Sequence, residues 1–221
     1  MGRSTYVILS CTLVTWALPC RSWFHLFSPY GQRYPPKETL MLNALARKLI
    51  KRMEKRYSYD MSYALYLLEK APKAFRRFMR VAALSRHRER VPVEAAFTVQ
   101  LLATLYEDCG PCTQLVVQFA EESKMPAQQI EAVLIGQVSA MHSAVTLAYR
   151  YADAVLNQRA DTAALREAVR AQWGDQGLID LAMNMQGARL YPMMKQALGF
   201  ALQCQRVSVR GRWIDLTKKA A

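Results

Sequence analysis

Glu107-Asp108-Cys109-Gly110-Pro111-Cys112-Thr113-Gln114-Leu115 decides how this chain is read. It holds the only Cys-x-x-Cys pair in the sequence. Upstream, Glu94 to Asp108 is apolar at Phe97, Leu101, Leu102 and Leu105, a helical spacing. Downstream, the helical run from Cys112 carries Leu115, Val116, Phe119 and Ala120. Gly110-Pro111 turns the chain between them, and Pro111 suits a first helical position. Two thiols three positions apart, the second in a first helical turn, are close enough to cycle between dithiol and disulfide. The helix N-terminus favours the thiolate there. Gly-Pro between the thiols and the acids before them point to an exposed helix start. Read without chemistry, the two cysteines are small buried apolar residues.

Moving outward, the chain reads as helix after helix. Residues 38–56 carry an apolar stripe at Leu40, Leu42, Leu45, Leu49, Ile50 and Met53, with Arg and Lys opposite. Tyr57-Ser58-Tyr59 breaks it, Asp60 caps a second helix, and Pro72 starts a third that carries Phe75, Phe78, Met79, Val81 and Leu84. Ser85 to Arg90 is a basic loop in which His87 reads as solvated, and Pro92 restarts helix at Val93. Pro126 opens a helix with Ile130, Val133 and Leu134, and Gly136 to Asn157 reads as one long amphipathic helix. Asp161 caps a short helix, Trp173-Gly174 is a break, and Asp175 caps a last long helix kinked by Pro192. No alternating strand pattern precedes Val207. The expectation is an all-α fold of eight or nine helices over residues 38–205. An apolar segment and linker at 1–37 and a tail at 206–221 flank it.

The net charge of +13 is unevenly placed. Residues 1–100 hold 18 Lys+Arg against 6 Asp+Glu, and residues 101–221 hold 12 against 11. The cations recur at helical spacing among apolar residues, so they read as solvated helix faces, and no nucleic-acid motif accompanies them. Five cysteines do not make the even, dense framework of a small secreted scaffold, which favours a cytoplasmic protein with one working dithiol. Residues 4–20 carry no charge. They stay open as a signal-like segment, a membrane contact, or a stretch preceding a later start such as Met41. No nucleotide or flavin motif is present, and no second Cys or His pair has zinc-site spacing; neither cofactor nor metal is expected.

Cys109-Gly110-Pro111-Cys112 is the thioredoxin tetrapeptide, but a helix feeds it here and Asp108 stands where that family usually has Trp. The wider context resembles the AhpD-like, carboxymuconolactone decarboxylase-related superfamily. A helix ends in acid, Cys109 and Cys112 open the next, and Phe119-Ala120-Glu121 follows. A Pro-started helix with Ile130-Glu131-Ala132-Val133, the run Leu147 to Asp153 and the terminal Leu178 to Phe200 helix also look similar. The likeness spans roughly Tyr59 to Leu202.

That resemblance implies an all-helical domain assembling as a trimer or hexamer. It also implies a thiol-dependent peroxidase or disulfide reductase. Cys112 attacks a hydroperoxide, Cys109 resolves the sulfenic acid as a disulfide, and a thiol or dithiol donor regenerates the pair. The family's relay His and Glu would fall at Val116 and Phe97, both apolar here. Glu107, Glu94 and His142 are the substitutes for them. The alternative is a redox-sensing or structural oligomer with a reversible disulfide and little turnover.

Overall fold

The computed structural model describes residues 37–201 and 206–216. The apolar stretch 4–20, its linker and Cys204 lie outside them. The described residues form eight α-helices: α1 Lys37–Tyr57, α2 Ser62–Lys70, α3 Pro72–Phe78, α4 Val93–Tyr106, α5 Gly110–Glu122, α6 Ala127–Ile135, α7 Ser143–Leu156 and α8 Thr162–Ala197. Short 3₁₀ segments at Met79–Arg86 and Val138–Ala140 and a two-stranded sheet complete the set. The chain is mostly helical.

α4 is the axis. Its residues from Ala95 to Thr104 are buried with the single exception of Phe97, so it has apolar neighbours on all sides rather than on one stripe. α5, α6, α7 and α8 pack around it, and Val99, Leu101, Val117, Ile130, Val133, Val145, Leu181 and Met185 build the main core. A second core joins α1, α2 and α3 through Ile50, Tyr59, Met61, Tyr63, Leu67, Leu68 and Phe75, with Leu115, Tyr191 and Met194 against it. The Cys pair lies on the helix that touches both.

Two boundaries differ from the sequence expectation, as do one kink and one side chain. The third helix tightens after Phe78 into the 3₁₀ segment. There Gly187 of α8 comes so close that an added Cβ would lie 2.7 Å from the Ser85 backbone nitrogen. Gly136 to Asn157 is not one helix. Gly136, at φ 69°, closes α6, and the 3₁₀ turn and an extended Met141-His142 intervene before α7. The Gln129 side chain holds that break open, donating to the Ala140 carbonyl at 2.9 Å and accepting from the His142 N–H at 2.7 Å. In α8 the break expected at Trp173-Gly174 is present, with Gly174 at φ 71°, while Pro192, where a kink is expected, keeps helical dihedrals. His87 is not a solvated loop residue. Its imidazole is half-buried, 3.5 Å from Asp180.

Asp180 staples that loop. Fully buried, it accepts the backbone N–H groups of Glu89, Arg90 and Val91, so its charge is met by three donors.

The residues after 205 form a β-hairpin, β1 Arg206–Val209 and β2 Arg212–Asp215, with Val207 opposite Ile214. Its two-residue turn, Arg210-Gly211, has positive φ at both positions (45° and 81°), as a type I′ turn requires. The hairpin docks on α5: the Gln114 amide exchanges two hydrogen bonds with the Ser208 backbone, at 2.6 and 3.0 Å, and Val207 and Val209 enter the main core.

Candidate functional site

The turn that presents the dithiol is a Schellman motif. Asp108, at φ 51°, takes the left-handed position after α4. The Asp108 N–H donates to the Leu105 carbonyl at 3.1 Å, and the Cys109 N–H to Thr104 at 3.3 Å. Three residues, Glu107 to Cys109, separate α4 from α5, which starts at Gly110 with Cys109 at its cap and Pro111 in its first turn. Cys112 therefore sits in the first turn of α5, where N–H groups lack intrahelical partners and the helix dipole favours negative charge.

The Cys109 and Cys112 sulfurs are paired as a disulfide, with Cα atoms 5.3 Å apart. Both residues are buried, at 3% and 4% exposure, so the exposed helix start expected from Gly-Pro is not what forms. The cover comes from the second core. α1 ends in another left-handed turn at Ser58, φ 48°, which sends Tyr59 inward. Arg56 and the Tyr57 hydroxyl both reach Glu122 of α5, at 2.8 and 3.0 Å, and Tyr57 packs edge-on against Phe119. These contacts clamp the end of α1 along α5 and set Tyr59 over the dithiol. The Tyr59 hydroxyl lies 3.6 Å from Cys112 Sγ. A disulfide sulfur carries no proton, so the phenol is the donor.

Behind Tyr59 stands Lys195 of α8. Its residue exposure is 0%. Nζ lies 4.8 Å from the Tyr59 ring centroid and 5.6 Å from that of Tyr63, and among the described residues it has no hydrogen-bond partner. Burial pushes the ammonium below the usual lysine range, and Asp60 partly opposes this. Burial likewise pushes Tyr59 well above the usual phenol range, with hydrogen bonding to Tyr63 pulling the other way, so Tyr59 stays a proton donor.

The other expected site residues are elsewhere. Glu107 accepts from Arg189 Nε at 2.6 Å, and Arg189 also covers the Tyr106 ring. Glu94 is in the first turn of α4, about 18 Å along that helix from its dithiol end at 1.5 Å per residue. His142 is exposed at the start of α7. Among the described residues, no hydrogen bond or ion pair of Glu94, Glu107 or His142 involves either sulfur. Val116 and Phe97, where the resemblance would put a His and a Glu, belong to or pack against the main core. The open groove beside the Gly174 break, lined by Arg90, Trp173, Asp175 and Gln176, is about 30 Å along α8 from Lys195.

Neither Tyr59 nor Lys195 is among the site residues that the sequence suggests. In the sequence, Tyr59 is part of a helix break. Lys195 did leave a signal: Leu181, Met185, Ala188 and Pro192 are buried at steps of three and four, and Lys195 is the next residue on that stripe. A lysine in the apolar register of a helix marks a buried charge.

No family model, curated protein or solved structure matches this chain.

Proposed function

We propose that this protein is a thiol-dependent oxidoreductase that reduces hydroperoxides with the Cys109–Cys112 dithiol, in the manner of the AhpD-like proteins it resembles. One observation carries the reading. The two sulfurs meet at a helix start, and the only described side-chain hydroxyl at sulfur distance reaches Cys112, the residue to which the resemblance gives the attack. In the cycle, the Cys112 thiolate attacks the terminal oxygen of ROOH. The O–O bond breaks, the alkoxide takes a proton to leave as ROH, and Cys112 becomes a sulfenic acid. The Cys109 thiol then displaces water to form the disulfide. A dithiol donor gives two electrons and two protons to reopen it and is itself oxidised to a disulfide.

The AhpD-like arrangement of helices, assembly of several copies and a cytoplasmic location belong to the same proposal. Among the described residues no helix is long and apolar enough to cross a membrane.

The test is peroxide consumption with a dithiol donor. Wild-type protein is expected to turn over, and Cys112→Ser and Cys109→Ser each to abolish it. Wild-type rates in both variants would refute the reading.

A second reading has its own support. Val116 and Phe97 put apolar side chains where the family relay would be, and both sulfurs are buried. These favour a redox sensor, in which the disulfide forms once per oxidation event without sustained peroxide consumption.

A further inference from the structure

The buried ammonium of Lys195 takes no part in the bond changes of the peroxide cycle. A lysine enclosed without a hydrogen-bond acceptor is costly, and such groups persist where the charge is needed. Its surroundings show what for. The ammonium rests against the face of Tyr59, and the hydroxyl of the same ring reaches Cys112 Sγ. In the disulfide the sulfur is neutral, and among the described residues the ammonium is answered by two aromatic faces and, at longer range, Asp60. Reduction changes this, because an ionised Cys112 would place a full negative charge at the other end of the phenol.

We propose that Tyr59 and Lys195 together stabilise the Cys112 thiolate of the reduced protein, Tyr59 by donating its hydroxyl proton to the sulfur and Lys195 by supplying the compensating charge across the Tyr59 ring. The pair replaces the His and Glu whose positions are occupied by Val116 and Phe97. This rests on the dithiol reading and deepens it. Tyr59 touches the reacting atom; Lys195 acts through it and is a positioning residue. The ionisation is a simple one. Of the two protons a dithiol donor delivers on reduction, one stays on Cys109, and the other leaves Cys112 for water.

Other groups face the pair. Asp60 opposes loss of the Lys195 proton, and Lys51 in turn acts on Asp60. Tyr63 hydrogen-bonds with Tyr59, Tyr191 of α8 acts on Tyr59 electrostatically, and burial raises both above the usual phenol range. Asp108 and Glu107 precede the dithiol, Glu107 paired with Arg189. None of these supplies a positive charge to the sulfur.

The test is a pH titration of thiolate ultraviolet absorbance in reduced full-length protein, taken as the difference from Cys112→Ser. Lys195→Met keeps length and removes charge, and is expected to move the Cys112 midpoint upward by about one pH unit, a tenfold loss of thiolate below the midpoint. Lys195→Arg is expected to recover most of that shift. Tyr59→Phe, which keeps the ring, is expected to move the midpoint in the same direction as Lys195→Met, and stands in for it should that variant not fold. A midpoint unchanged in the folded variants, with the disulfide still forming and opening, overturns the Tyr59–Lys195 role and leaves the dithiol reading standing. A wild-type disulfide that no dithiol opens overturns both, and is recognised because no Cys112 thiolate appears at any pH.

Discussion

A lysine nitrogen enclosed without an acceptor destabilises the fold that encloses it, and Lys195 is such a group. Replacing a buried charge by an apolar side chain of similar length relieves that cost, so Lys195→Met is expected to stabilise the oxidised protein by about 1–3 kcal/mol near neutral pH. The pH dependence has a definite sign. Burial holds the native Lys195 below its ordinary value, so between the lowered native value and the unfolded value of about 10.4 the unfolded chain binds more protons. Wild-type stability therefore rises with pH through that window, and the advantage of Lys195→Met should shrink toward its upper end. Urea unfolding of both proteins at several pH values checks this. A variant less stable than wild type throughout would mean that Lys195 is held by interactions stronger than two aromatic faces and Asp60. Of the site at this scale, the dithiol was legible, because its two residues are local and their spacing is diagnostic. Tyr59 was not, since what brings it to Cys112 is the clamp of Arg56 and Tyr57 on Glu122 and Phe119, which no local pattern encodes.

Among the elements, helix starts were read better than helix ends. Prolines at 72, 92 and 126 mark helix starts in sequence and in structure alike, because their fixed φ suits the chain entering a helix. Ends were harder, since α1, α4, α5 and α7 are followed by left-handed residues that are not glycine: Ser58, Asp108, Lys124 and Gln158. Each is followed by an N–H that reaches back to the last turn, as from Met125 to Ala120 and from Arg159 to Ala154. Those hydrogen bonds offset a conformation that costs an L-residue roughly 1–2 kcal/mol. The false long helix from Gly136 arose because Val138, Met141 and Val145 keep helical spacing across a break that Gln129 maintains through tertiary hydrogen bonds. α8 meets the 3₁₀ segment closely at Gly187. A methyl group at Gly187 would meet the Ser85 nitrogen at 2.7 Å and Leu84 Cβ at 3.1 Å. Gly187→Ala is accordingly expected to destabilise by about 1–3 kcal/mol in chemical denaturation. Unchanged stability would contradict so close an approach.

For the molecule as a whole, the site occupies the seam between two cores. α5 belongs to the main core through Val116 and Val117 and meets the smaller core through Leu115 and Cys112, while α8 spans both. A dithiol at such a seam is covered by a unit, α1 to α3, that differs in character from the rest: it carries most of the excess positive charge and leaves Leu42, Leu45 and Leu49 of α1 exposed. The helical character of the chain was legible from its repeated apolar runs. The hairpin was not, because its β1 residues become a strand by pairing with β2 and docking on Gln114, not by any pattern longer than four residues. The proposed function requires that Cys109 and Cys112 cycle between dithiol and disulfide. Its most direct measurement is the mass of the peptide bearing both cysteines after denaturing alkylation, taken before reduction, after treatment with a dithiol, and again after one equivalent of hydroperoxide. The expected sequence is an unalkylated pair, then a doubly alkylated pair, then an unalkylated pair once more. A pair that remains doubly alkylated after peroxide, or that a dithiol never opens, would contradict it.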